Sequence, residues 1–218
     1  MKNVNILGVN HVSKKSIENI DKALEKDVDA VCLELDRDRL KSLLKGDRSL
    51  PKPTLIKTLG VSGYLFSLVA TVIQRAIGKY TGVLPGDEML HGFNEAKKTN
   101  TPIALIDRPI PQTLQKFKHI PIREKLRLVT DSLNPFRKVS LPFTLESIPS
   151  PSELKPVIDI FSDRYPYTTD VLLHSRDEYM ATMIQKVLQR HDNILVIVGA
   201  AHIPGIQKRL NTTNNEKE

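Results

Sequence analysis

Two short motifs place a histidine at the same offset from a glycine: Gly8-Val9-Asn10-His11 near the start and Gly199-Ala200-Ala201-His202 near the end. Each follows directly on an apolar run, Asn3–Gly8 in one case and Asn193–Val198 (NILVIV) in the other. A glycine there lets the chain leave a strand at a φ that a side chain resists. The imidazole three residues on can then return over the strand's end. In such a place it ligates a metal or works as a general base, and a packed or capping histidine is the plain alternative. Glu34 stands inside a third apolar run, Asp29–Leu35 (DAVCLEL). A buried carboxylate is costly without a partner. Glu34 therefore requires a metal, a histidine or an arginine, and Arg37 and Arg39 are the nearest arginines along the chain. Asp36 either joins this site or caps the next helix.

Residues at three further places have the right chemistry. Glu88 opens a helix after Pro85-Gly86, where the helix dipole favours a carboxylate. Glu88 and His91 also have the Glu-x-x-His spacing of di-iron bundles, but such a site needs two copies of the motif and one is present. A fourth apolar run, Pro102–Asp107 (PIALID), ends in Asp107-Arg108. Arg176, beside Asp177, begins a Met-rich helix. An arginine there clamps a substrate carboxylate, steadies an oxyanion or forms a surface pair. Met180 and Met183 belong to a core stripe, and His91, His119, His174 and His191 lack a supporting pattern.

These residues must be positioned by the elements between them. Apolar runs alternate with segments of helical period: Ile17, Ile20 and Leu24 in one, Leu40, Leu43 and Leu44 in the next, then Met89, Leu90 and Phe93. Strands joined by helical crossovers are normally parallel. The expected fold class is therefore α/β, with a mixed, mainly parallel central sheet and helices on both faces. In such sheets ligands bind outside the carboxyl ends of the strands, where both glycine–histidine motifs fall. We expect one domain over residues 1–210. Within it 134–168 reads as a proline-rich connector or lid holding Pro135, Pro142, Pro149 and Pro151, and 211–218 reads as a polar tail. Thr54–Tyr80 reads as one broken helix or two, and Ser13 or Ser16 as the cap of the first helix.

Composition narrows the partners. A chain of 218 residues that is 40% hydrophobic and 26% charged builds an ordinary globular core. One cysteine, Cys32, excludes a disulfide framework and a Cys-rich zinc module. The net charge of +7 favours anionic partners. Residues Gln112–Lys138 hold seven basic side chains against Glu124 and Asp131, either a solvated face or a contact for an anionic or membrane surface. With only 5% aromatic residues, base stacking is disfavoured and no sequence-specific nucleic acid is expected. The most apolar window, Tyr64–Ile73, is well short of the roughly 20 residues that span a bilayer. It suits a core helix or a homodimer interface. With no leader visible, a cytoplasmic protein, at most peripheral to a membrane, is expected.

The segments GVNHVSKKS, VCLELDRDRL, LPGDEM, IALIDRPIPQTL, RDEYMATMI and VIVGAAHIPGI together resemble the TraB/PrgY pheromone-shutdown family, relatives of the Tiki proteases. The resemblance covers most of the chain except Asn134–Thr168. It implies that the family's two Gly-x-x-His motifs fall on Gly8–His11 and Gly199–His202, and its acid after the second strand on Glu34. Its Gly-x-Glu-Met element falls on Gly86–Met89, which implicates Glu88, and its Asp-Arg pair on Asp107 and Arg108. Its late Glu-Arg-Asp element falls on Ser175-Arg176-Asp177, where a serine replaces the first acid, so the site is expected to differ there. Many relatives carry membrane helices after this domain. The family is similar in fold to erythromycin esterases and a haem-binding lipoprotein group (ChaN-like), which implies an α/β sheet with an open site.

The expected function is a metal-dependent, peptidase-like hydrolase acting on a peptide or another small substrate, with pheromone-type inhibition implied by the resemblance. His11, His202 and a carboxylate, Glu34 or Glu88, would hold Zn, Mn or Co. The other carboxylate would be the base, and Arg108 or Arg176 would steady the oxyanion. The alternatives are an esterase-like site without metal, in which His11 activates water and Glu34 orients it, and a binder that sequesters a peptide or an anionic partner.

Overall fold

The computed structural model describes residues 2–9, 14–46, 53–57, 60, 64, 86–132 and 150–215. The apolar runs form strands β1 (Asn3–Val9), β2 (Ala30–Leu33), β3 (Ile103–Leu105) and β4 (Asn193–Gly199). Their order across the sheet is β1-β4-β2-β3, and every described pairing is parallel. The antiparallel component expected of a mixed sheet is thus not present among the described strands. β2 and β3 are shorter than their apolar runs, so Glu34 and Asp107 lie just past the strands and not within them.

The last strand in the chain lies between the first and the second. Residues Ile194–Val198 of β4 are therefore covered on both faces and fully buried, which is why that run is apolar without alternation. Its side chains still divide by the period of two. Leu195 and Ile197 join Val31 and Leu33 on one face, while Ile194, Val196 and Val198 join Ala30 and Cys32 on the other. Burial pushes the Cys32 thiol up to about 12, so it is an inert core residue.

Helices cover both faces. On the first, α1 (Lys14–Leu24) and α3 (Asp87–Lys98) contribute Ile20, Ala23, Met89 and Ala96. Ser16 lies inside α1 and is buried, so it is not the cap of that helix. The short helix α2 (Arg37–Leu44) is capped by Asp36, whose Oδ1 accepts from the backbone N–H of Asp38 and Arg39. Leu40 and Leu43 pack inward, whereas Leu44 is 55% exposed and does not share their face. α3 starts after Gly86, which has φ of +93° and whose Cβ, if present, would lie 2.8 Å from Leu43. Glycine is required at that turn.

Two helices, α4 (Ile110–Lys118) and α5 (Ile122–Ser132), are separated at Pro121, as the proline predicts. The next, α6 (Pro151–Arg164), begins with a capping box between Ser150 and Glu153. The proline-rich segment is thus helical from Pro151, while 134–149 lies outside the described residues. A helical turn at Pro166–Thr169 and a π turn at Asp170–His174 lead into α7 (Ser175–Leu188). Together with α8 (Ile203–Asn215), α7 covers the second face through Met180, Ile184 and Ile206. Because α8 runs to Asn215, the expected polar tail is helical for most of its length. No helix among the described residues is long and apolar enough to cross a membrane. The Tyr64–Ile73 window lies outside the described residues apart from Tyr64.

Candidate functional site

The carboxyl ends of β2, β3 and β4 converge as expected, and they meet the start of α7. Glu34, 3% exposed, leaves β2 and is held from two directions. Its Oε2 accepts from the backbone N–H of Gly199 at 2.6 Å, and its Oε1 accepts from Arg176 Nη2 at 2.5 Å. The nearby arginines Arg37 and Arg39 are not its partners in those contacts; the cation comes from 142 positions away. A charge-assisted pair of this kind relieves the cost of burying Glu34.

His202 lies in the 3₁₀ turn that joins β4 to α8 and is 6% exposed. Its Nδ1 is 2.6 Å from Asp177 Oδ1, and its Nε2 is 3.3 Å from Glu34 Oε1. Burial by itself would lower the pKa of the imidazole. The Glu34 charge and the hydrogen bond to Asp177 outweigh it and hold His202 at about 9. Burial raises the Asp177 carboxyl, against the pull of His202.

Arg176 joins this pair to a second acid. Its Nε donates to Asp107 Oδ1 at 3.0 Å, its Nη2 to Asp107 Oδ2 at 2.8 Å and its Nη1 to the Leu172 carbonyl at 3.1 Å. Arg39 Nη1 donates to the same Asp107 Oδ2 at 2.7 Å. Arg176 is therefore not a surface pair. It is a half-buried tie between the β2 and β3 ends, and the flanking carboxylates raise its pKa despite desolvation.

The side chains of the remaining expected residues lie apart from this cluster in their described contacts, although the Arg108 backbone N–H donates to Asp107 Oδ1 at 2.8 Å. Glu88 is fully buried and its Oε2 accepts from the Gly86 N–H at 3.1 Å, the arrangement of a carboxylate at a helix start. Arg108 turns away from Asp107 and donates to Ser175, Nη1 to the hydroxyl at 3.0 Å and Nη2 to the carbonyl. His11 lies outside the described residues.

Sequence reading did not single out Asp177 as the partner of His202, nor Arg39 as a second cation on Asp107. It also missed Gly205. A Cβ at Gly205 would lie 2.6 Å from Asp177 Cγ, so α8 comes close enough to support that carboxylate only because position 205 has no side chain. A glycine directly after a proline near a helix start was the available signal. Neither motif glycine adopts the side-chain-resisting φ expected of it. Gly199 has φ of −56°, and Gly8 is not among the positive-φ glycines. At Gly8 the constraint is space, since a Cβ would lie 2.5 Å from Ile203 Cδ1 and 3.4 Å from Ala200 Cα.

Among the described residues, no group of three His, Cys, Asp or Glu could hold a metal ion. Two donors are nevertheless in place. His202 Nε2 and Glu34 Oε1 are 3.3 Å apart, and the far nitrogen of the ring is tied to Asp177. That is the carboxylate support a metal-ligating histidine commonly has. An imidazole and a carboxylate are donor types that suit a divalent ion, but Glu34 Oε1 and Oε2 already accept from Arg176 and from the Gly199 N–H.

A parallel α/β sheet with an acid–histidine cluster at its carboxyl edge defines the class of this protein. The comparison with known sequences then names its family. The TraB/PrgY/gumN family profile matches residues 2–217, and the chain belongs to that family. An uncharacterised protein of Methanocaldococcus jannaschii is 28% identical over 218 residues, covering 96% of this chain and 54% of its own length. TraB domain-containing proteins of Bos taurus and Homo sapiens are 24% and 25% identical, each over 99% of this chain and 64% of their own length. The chain thus spans between about half and just under two thirds of the curated relatives it matches.

Proposed function

We propose that the chain is a hydrolase acting on a peptide, with His202 and Glu34 as its reaction centre. The observation that supports this is the double tether of one imidazole, to Asp177 at Nδ1 and toward Glu34 at Nε2. With the ring neutral, Asp177 keeps the proton on Nδ1, and the Nε2 lone pair faces the Glu34 side. With the ring protonated, Nε2 becomes a donor. The same atom can take a proton from water and return it to a leaving group. The raised pKa makes His202 mainly a proton donor near neutral pH in this arrangement. Arg176 is a positioning residue, because its described hydrogen bonds go to Glu34, Asp107 and the Leu172 carbonyl.

A divalent ion such as Zn, Mn or Co would be held by His202 and Glu34, with His11 as the third donor the sequence offers. When bound it would supply an acidified water, with a pKa of about 7 in zinc sites. The peptide as substrate class comes from the resemblance to relatives of the Tiki proteases. Metal titration tests the ion. The native chain should bind it more tightly than the His11→Ala, His202→Ala double variant, and equal stoichiometry and affinity would remove the metal. Peptide turnover that survives His202→Ala would remove the centre itself.

One observation favours a metal-independent variant of the same hydrolase. Glu34 already carries a cation, Arg176, at 2.5 Å. Turnover that persists after thorough chelation would decide for this variant.

A further inference from the structure

Behind the acid–histidine cluster lies an open recess of about 470 Å³ lined by Arg108, Gln112, Gln115, Lys116, His119 and Tyr179. Three of these side chains are cationic or can become so, and none is acidic. The α4 residues follow one helical face at spacings of three and four. Arg108 forms the floor. It is only 8% exposed, and its guanidinium carbon lies 5.7 Å from the Tyr179 ring centroid. Its described acceptors, the hydroxyl and the carbonyl of Ser175, are neutral.

A nearly buried cation facing neutral acceptors is costly. The charges next door do not relieve it. Asp177 and Glu34 face His202 and Arg176, while Asp107 is shared by Arg176 and Arg39. Those three acids are matched by three cations, which leaves Arg108 as the surplus. The geometry also sets the recess against the reaction centre. In the adjacent pairs Asp107-Arg108 and Ser175-Arg176, one member of each, Asp107 with Arg176, belongs to the cluster. The other members, Arg108 with Ser175, sit on the recess side.

We propose that this recess binds an oxyanionic group, a carboxylate or a phosphate, of the molecule on which the neighbouring centre acts. A guanidinium beside an ammonium and two amides is suited to such a group, and the volume is within the range of small-ligand sites. That the bound molecule is acted on by the neighbouring centre rests on the hydrolase reading; the binding does not.

The test uses the full chain and two probes: inorganic phosphate, and one tetrapeptide as its free acid and as its C-terminal amide. Saturable binding of either oxyanion, weakened about tenfold or more by Lys116→Glu and by Gln115→Glu, is expected. Lys118→Glu, on the same helix but outside the recess, should change it less than twofold. Free acid binding at least tenfold tighter than amide assigns the site to a peptide carboxylate; phosphate binding alone assigns it to phosphate. The proposal is overturned if neither probe saturates, or if Lys116→Glu and Lys118→Glu have equal effects, which is general surface charge. Binding at the recess with no hydrolysis of any peptide removes the hydrolase reading and leaves the recess standing.

Discussion

Two regions of the molecule bury carboxylates in opposite ways. Glu124 on α5 is 6% exposed and accepts from the backbone N–H of Thr168 and its hydroxyl, each at 2.6 Å, and from the Tyr167 N–H at 3.3 Å. Those partners are backbone and hydroxyl donors without charge. Glu34 is just as buried, yet its partners include Arg176 and His202, which is itself coupled to Asp177. The first arrangement fastens the turn before the π segment to α5. The second holds titratable groups within proton-transfer distance of one another at the end of a parallel sheet. Burial of an acid is thus no sign of function by itself; the chemistry of its partners separates a fastener from a proposed reaction centre.

The largest effect that would break this contrast is expected from Arg176→Met. It removes the cation shared by Glu34 and Asp107 and should cost about 3–5 kcal/mol, the usual result of taking one partner from a buried ionic cluster. Chemical denaturation would measure it, and a loss under about 1 kcal/mol would show that the cluster is not held by charge. Next comes pH. The folded-state pKa of His202 is raised from 6.5 to about 9. Its contribution, of order 3 kcal/mol, is full below the unfolded value and is lost as pH rises through the folded one. Melting temperature should therefore fall between pH 6.5 and 9 in the native chain, and fall less in His202→Gln.

Gly205→Ala should follow, costing about 1–3 kcal/mol through overpacking against Asp177. It should also move the His202 imidazole resonances in NMR spectra. Unmoved resonances would mean that α8 shifts as a whole and the carboxylate keeps its place. The smallest effect is expected in the other region. Glu124→Gln should cost about 1–2 kcal/mol and leave both the His202 resonances and the pH dependence as they were. If the pH profile changed as well, the two regions would be coupled and the contrast would fail.

Much of the fold was legible along the chain because its signals are local. Four apolar runs became four parallel strands, and Met180 and Met183 were placed in the core stripe by helical spacing. The errors were of extent. β2 stops before Glu34, and α8 continues past Leu210 through Thr212, an exposed polar residue that a helix tolerates. The site was legible in part. Glu34 needed a partner, and burial said so without saying which one.

What the sequence determined unaided was therefore the class: an alternating α/β chain with reactive residues at strand ends, since strand and helix periods depend on residues a few positions apart. What only the tertiary structure decided was pairing. Arg176 reaches Glu34 and Asp107, Asp177 reaches His202, and Gly205 makes room for Asp177. Charge pairing decays within a few ångströms in space and is indifferent to distance along the chain. In the described contacts the nearer Arg39 goes to Asp107 instead, and the fold carries the distant Arg176 to Glu34.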